Sequence, residues 1–231
     1  MKNYLKTYYS FDKRPKSNYP EKLITYLSES YFNESHKSIL DMACGRGDQM
    51  RAFSDLGKDV TGIDIDEDAV DMCAPNKVVI HDITKGNCPL ESSSFDVFFN
   101  KSIIEHLYHP EVLLDEAFRL LRQNGLIITM CPSWLHMGWG PFYQDHTHHT
   151  PFTLPSLRDI HIKSGFEIID IKHFRQLPSL WRHPWMILFT EIIRKLPIPY
   201  SPQNQFSFPS NINKVIRFSN EVMLLCVARK I

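Results

Sequence analysis

Ser38-Ile39-Leu40-Asp41-Met42-Ala43-Cys44-Gly45-Arg46-Gly47-Asp48 is a short apolar run that breaks at two glycines one residue apart. A run of this length ending in Gly-x-Gly reads as a buried strand entering a tight turn. Asp48 to Leu56 then has the make-up of a helix, closed by Gly57. A glycine turn between strand and helix lets the backbone approach a ligand closely. A dinucleotide site wants a third glycine about three residues on, and position 50 is Met50. Asp41, just before the turn, repels a pyrophosphate but accepts a hydrogen bond from a cationic amino group. The stretch therefore favours a ligand with an amino-acid tail.

Outward from the turn, strands and helices alternate. Pro20 to Phe32 reads as a helix, with Leu23, Ile24 and Leu27 at helical spacing and Pro20 in its first turn. Val60 to Ile65 is a second strand, Asp66 to Met72 a short helix capped by Asp66, and Lys77 to Ile83 a third strand. Phe95 to Asn100 is a fourth strand. Pro110 to Arg122 is the clearest helix, with Leu113, Leu114, Ala117, Phe118 and Leu121 on one face and Asn124-Gly125 after its end. Leu126 to Met130 is a fifth strand, so apolar that it needs cover on both faces. Leu154 to Ser164 is a helix, Phe166 to Ile171 a sixth strand and Glu221 to Arg229 a seventh. This alternation predicts an α/β fold with a mainly parallel, doubly wound sheet.

Within that fold, Asp64 ends the second strand nineteen residues after Gly45. A carboxylate at that place accepts hydrogen bonds from both hydroxyls of a ribose. Asp82-Ile83 ends the third strand, where a polar–apolar pair suits the edge and face of an adenine. Against each aspartate stands the plainer reading of a loop or helix-cap residue, preferred here for Asp66.

Composition narrows the partners. Lys+Arg and Asp+Glu each number 26, so the net charge is zero with neutral histidines. Bulk nucleic acid as partner is disfavoured, because its binders carry a basic excess. Cys44, Cys73, Cys88, Cys131 and Cys226 are odd in number and form no Cys-x-x-Cys pair, which argues against a disulfide framework and a structural zinc site. The N-terminus lacks the apolar core of a signal peptide, and no run is long enough to span a bilayer. The expectation is a cytoplasmic protein with all 231 residues in one domain.

The segments ILDMACGRGD, VTGIDIDEDAV, VVIHDI, FDVFFNKSIIEHL and EVLLDEAFRLLRQNGLIITMCPSW follow one another from about Ser38 to Trp134, and SGFEII follows at Ser164 to Ile169. In this order they resemble the class I S-adenosylmethionine-dependent methyltransferases, especially those acting on small molecules, quinones and glycans. The resemblance implies a Rossmann-like, seven-stranded sheet with an antiparallel last strand and S-adenosylmethionine as cofactor. It places Asp41, Gly45 and Gly47 around the methionine moiety, Asp64 and Ile65 on ribose and adenine, Asp82 and Ile83 beside adenine, and Asn100 near the sulfonium. Ala43 departs from the family, which more often has glycine there, and it joins the cofactor set as a small residue.

The acceptor side rests on two segments that interrupt the alternation. Residues 132–150 carry Trp134, Trp139, His136, His146, His148 and His149, and residues 176–211 carry six prolines. Both read as insertions walling the acceptor pocket, against the alternative of ordinary surface excursions. The fourth strand leaves through NKSIIEHL, which lacks the Asn/Asp-Pro-Pro-aromatic tetrad of methylases acting on the amino groups of bases or glutamine. The favoured reaction is O-methylation of a small metabolite or of a sugar or glycan precursor. Transfer to nitrogen or carbon, and a non-catalytic methyltransferase-like subunit, are the alternatives. A hydroxyl acceptor needs its proton removed, and histidine suits that task. The candidates are His146, His149 and His106, the last weighed against a packing role. No metal site is expected, because these histidines have no second ligand cluster at recognised spacing. Trp181 to Leu196 is an amphipathic helix that either contacts a membrane surface peripherally or, as most such helices do, packs on its own domain.

Overall fold

The structure, a computed structural model, describes residues 5–6, 15–138, 142–198 and 210–231. Trp139 and three prolines of the second insertion, Pro199, Pro202 and Pro209, lie outside the described residues, as does most of the N-terminal stretch.

Seven strands form one sheet: β1 (Ser38–Met42), β2 (Asp59–Asp64), β3 (Lys77–Ile80), β4 (Phe95–Lys101), β5 (Leu121–Pro132), β6 (Phe166–Arg175) and β7 (Val222–Lys230). Their order is β3-β2-β1-β4-β5-β7-β6. The β1–β2, β2–β3, β1–β4 and β4–β5 pairs are parallel, and β7 alone runs antiparallel to its neighbours β5 and β6. The chain therefore reverses its winding between β1 and β4. In open α/β sheets ligands bind beyond the strands' carboxyl ends at such a point. Register sets Asp41 opposite Phe99 and Met42 opposite Asn100 there.

Alternation along the strands feeds two cores. On one face, Leu40, Phe98 and Ile127 pack with Leu113, Leu114 and Ala117 of α4 (Glu111–Leu120). On the other, Ile39, Val97, Phe99 and Ile128 pack with Leu23, Ile24 and Leu27 of α1 (Tyr19–Tyr31) and with Phe53 of α2 (Asp48–Asp55). The central stretches of β1 and β4, and β5 from Gly125 onward, are buried on both faces, which is why they read as apolar runs.

Further helices among the described residues are α3 (Asp68–Cys73), α5 (Trp134–Met137), α6 (Leu154–Lys163), α7 (Pro178–Arg182), α8 (Ile187–Lys195) and α9 (Ser210–Asn220). Thr153 and Ser156 make a reciprocal capping box at the start of α6, each side chain accepting from the other's amide.

Several expected boundaries move for local reasons. The helix expected to reach Arg122 stops at Leu120, and β5 begins at once with a turn in which Asn124 has φ +64°. β3 stops at Ile80, so Asp82-Ile83 lies just past the strand rather than ending it. Asp82 caps the turn Ile83–Lys85 by accepting from the Thr84 amide. The helix expected over 181–196 divides at Pro184, which has no N–H to give. Trp181 packs inward against Tyr19, Tyr26 and Phe174. Trp185, Leu188, Phe189, Ile192 and Leu196, by contrast, are exposed, and Thr190 is the buried residue of α8. The expectation that this apolar side packs on its own domain is thus corrected. No helix among the described residues is long and apolar enough to cross a membrane.

Candidate active site

The turn after β1 holds three left-handed residues, Ala43 (φ +59°), Gly45 (φ +56°) and Gly47 (φ +76°). A side chain at Gly47 would put its Cβ 2.7 Å from Cys73 Sγ and 3.1 Å from Cys73 Cα, so glycine there serves close packing of the turn on α3. Ala43 adopts the same region at a cost on the order of 1 kcal/mol relative to glycine. The Cys44 amide donates to the Ile63 carbonyl at 3.0 Å, which ties the turn to β2.

That tie brings Asp64 under the turn. The Gly45 amide donates to Asp64 Oδ2 at 2.7 Å and the Asp66 amide to Oδ1 at 2.9 Å. A carboxylate has about four lone-pair sites, so both oxygens keep capacity for ribose hydroxyls. Burial raises the Asp64 pKa, and the amide bonds pull it back. Asp66 accepts from the amides of Asp68 at 3.1 Å and Leu5 at 3.0 Å, but α3 starts at Asp68 with Glu67 at its N-cap, so the cap expected of Asp66 is replaced by a turn one residue before the helix. Ile65 is exposed beside Asp64, while Ile83 is buried.

Asp41 is 3% exposed, and its Oδ2 has no hydrogen-bond partner among the described residues. Burial, then the nearby Asp64 charge, push its pKa well up, and Lys101 opposes this. An orphaned buried carboxyl oxygen beside a ligand turn is where a ligand's ammonium group would be held.

Asn100, at the end of β4, is fully buried. Its Nδ2 donates to the Ile128 carbonyl at 3.1 Å and to Thr129 Oγ1 at 3.0 Å. His161 Nδ1 faces the Leu157 carbonyl at 2.8 Å, which fixes it as the donor. His161 Nε2 then accepts from Thr129 Oγ1, 2.9 Å away. This relay turns the Asn100 amide so that its Oδ1, without a partner among the described residues, is the spare group. Burial holds the His161 pKa down to about 4, so the ring is neutral.

Across Lys101 from Asp41 lies a second buried carboxyl. Glu105 is 1% exposed, with no hydrogen-bond partner at either oxygen among the described residues, and burial raises its pKa to about 8. Its carbonyl accepts the amides of His149 (2.8 Å) and Thr150 (3.0 Å), which docks the loop after β5 onto the exit of β4. His106 Nδ1 lies 2.8 Å from Thr147 Oγ1, which itself donates to Asp145 Oδ1 at 2.6 Å. Burial and the neighbouring His148 lower the His106 pKa. Of the other candidates, His149 stacks on Tyr108 with ring centroids 3.9 Å apart, and His146 is exposed.

A family model described as a methyltransferase domain matches residues 40–129, from β1 through β5. The "Probable S-adenosylmethionine-dependent methyltransferase" of Mycolicibacterium smegmatis is 29% identical over 140 residues, which are 58% of this chain and 53% of that protein. The "Ubiquinone biosynthesis O-methyltransferase" of Glaesserella parasuis is 26% identical over 124 residues, 47% of this chain and 52% of that protein. The chain thus spans about half the length of these relatives. The crystal structure of a SAM-dependent methyltransferase from Archaeoglobus fulgidus superposes with a TM-score of 0.62 over 95% of this chain and 97% of its own, at 21% identity, which speaks for the fold. Residues 40–129 thus match a methyltransferase domain, and the chain is similar to S-adenosylmethionine-dependent methyltransferases in sequence and in fold.

The aspartates and glycines expected on the cofactor side, Asp41, Gly45, Gly47 and Asp64, lie together at the adjacent carboxyl ends of β1 and β2. The sequence reading missed Thr129 and His161, which set Asn100, and did not count Glu105 among its site residues. Glu105 stood beside His106 in the quoted motif, but its burial arises from the loop after β5 folding over it. For Thr129 and His161 there was no signal, since neither lies in a motif.

Proposed function

We propose that the chain transfers a methyl group from S-adenosylmethionine to a hydroxyl oxygen of a small metabolite or of a sugar or glycan precursor. S-adenosylmethionine supplies a methyl group already activated on a sulfonium. Asp41 holds the ammonium of the methionine tail, and Asp64 accepts from the ribose hydroxyls. Gly45, Gly47 and Ala43 shape the turn beneath the tail, Ile65, Asp82 and Ile83 flank the adenine, and Asn100 Oδ1 faces the sulfonium end. What remains is to align an acceptor and deal with its proton, mostly a matter of orientation.

The observation that carries transfer to oxygen is the Glu105–His106 pair: a carboxyl and a tautomer-fixed imidazole, both sheltered, one lysine away from Asp41. A nucleophile with a proton to lose needs such groups. His146 and His149 remain candidate acceptor-loop residues in this reading. Methyl-labelled cofactor offered with hydroxyl-bearing and amine-bearing small molecules tests it. A labelled methyl ether is the expected product, and transfer only to nitrogen or carbon would overturn it.

We also propose that the segment 181–196 meets a membrane surface. Trp185, Leu188, Phe189, Ile192 and Leu196 recur at helical spacing on the exposed side, and Arg182 and Lys195 stand exposed near its ends. An apolar stripe with cations near its ends suits anionic headgroups above and acyl chains below. The acceptor would then be presented from, or near, a lipid surface.

A further inference from the structure

We infer that Glu105, His106 and His148 bind one divalent transition-metal ion, which holds the acceptor hydroxyl at the exit of β4. The inference rests on the proposed transfer to oxygen and deepens it.

One ligand atom from each of these side chains lies within 4.8 Å of the other two. Ligands on a single ion are at most about 4.3 Å apart, so side-chain movement on the order of 1 Å closes the group around a cation. Glu105 supplies the first argument. Among the described residues neither of its oxygens has a hydrogen-bond partner, and a buried carboxylate is costly unless paired or coordinated.

The histidines supply the second. His148 Nδ1 is 2.7 Å from the Phe142 carbonyl, which can only accept. Its proton therefore sits on Nδ1 and its lone pair on Nε2. His106 Nδ1 faces the Thr147 carbonyl at 3.2 Å and hydroxyl at 2.8 Å, and that hydroxyl spends its proton on Asp145. His106 too must carry its proton on Nδ1. Both rings thus offer Nε2 lone pairs, held by the outer hydrogen bonds that metal-binding histidines use. The rings are 4.6 Å apart and crossed at 66°, close enough to share an ion.

Two imidazoles and one carboxylate suit manganese, iron, cobalt, nickel or zinc better than magnesium or calcium. Three protein ligands leave positions for an acceptor hydroxyl. The hydroxyl proton leaves to solvent, a C–O bond forms, and the C–S bond breaks with its electron pair returning to sulfur. His106 then acts as a ligand rather than as a free base.

The test is titration of chelator-treated protein with Co²⁺ alone, followed by calorimetry and visible absorption. S-adenosylhomocysteine affinity is measured on the same samples. The expected result is about one Co²⁺ per chain, with affinity at least tenfold weaker in His148→Ala and Glu105→Gln. His109→Ala, an exposed histidine outside the group, should leave it unchanged. Retained S-adenosylhomocysteine binding shows that a variant is folded and separates this inference from the methyl-donor reading. Wild-type protein that binds S-adenosylhomocysteine but neither Co²⁺, Mn²⁺ nor Zn²⁺ would overturn the site. So would Co²⁺ affinity unchanged in both variants. If Glu105→Gln fails to fold, His148→Ala and the wild-type titration decide.

Discussion

The Gly45 amide donates to the Asp64 carboxylate across 2.7 Å, so the glycine turn and the end of β2 form one unit. Removing that carboxylate takes away a ligand contact and a support of the turn together. Asp64→Ala should weaken S-adenosylhomocysteine binding by roughly 1.5–3 kcal/mol for each charge-assisted bond to ribose. Calorimetry on wild type and variant measures it, with circular dichroism to check the fold. An unchanged dissociation constant would remove Asp64 from the site.

The turn's two small residues should respond in opposite directions. Ala43→Gly relieves a left-handed alanine (φ +59°) and should stabilise the protein. The gain is about 0.5–1 kcal/mol after the extra freedom of glycine in the unfolded chain. Gly47→Ala meets both a φ of +76° and the Cys73 backbone, and should destabilise by about 1–3 kcal/mol. Urea midpoints read both. Equal small shifts for the two variants would mean that the turn is looser than described.

Much of this site was legible in advance because its signals are local. Gly45, Gly47, Asp41 and Asp64 carry their meaning in spacing and in the strand-turn-helix pattern around them. The seven strands were legible for a similar reason, since β1, β4 and β5 are apolar on both faces. What sequence could not show depends on distant segments meeting. The loop after β5 buries Glu105, and α6 brings His161 to Thr129. Asn124 turning left-handed, which starts β5 early, is a local fact that the helical pattern overrode. The outward stripe of α8 has the same periodicity as a buried one, so only packing tells them apart.

His161 makes a pH prediction. Burial holds its folded pKa at about 4, below the ordinary imidazole value of 6.5, so the unfolded state binds the proton more readily. The stability it contributes is present above 6.5 and is lost as pH falls from 6.5 through 4. The full window is worth about 3 kcal/mol. His161→Gln, which retains an acceptor for Thr129, should flatten the acid limb of unfolding free energy over that window. A difference between wild type and variant that does not vary with pH would contradict the buried neutral ring.

Vesicle co-sedimentation examines the exposed stripe. The protein should pellet with vesicles containing phosphatidylglycerol, and much less with phosphatidylcholine alone. Leu188→Glu with Phe189→Glu should abolish this while leaving S-adenosylhomocysteine binding intact. Equal sedimentation of wild type and the double variant would count against a membrane contact through α8. Concentration-dependent dimerisation, lost in the same variant, would assign the stripe to a second copy of the chain.

The buried Asp41 oxygen and the Gly45–Asp64 unit together are the proposed site for a sulfonium cofactor with an amino-acid tail. Calorimetric titration of the wild-type protein with S-adenosylhomocysteine and, separately, with NAD tests it most directly. Saturable binding of S-adenosylhomocysteine and none of NAD is expected, whereas tight NAD binding without S-adenosylhomocysteine binding would overturn the assignment.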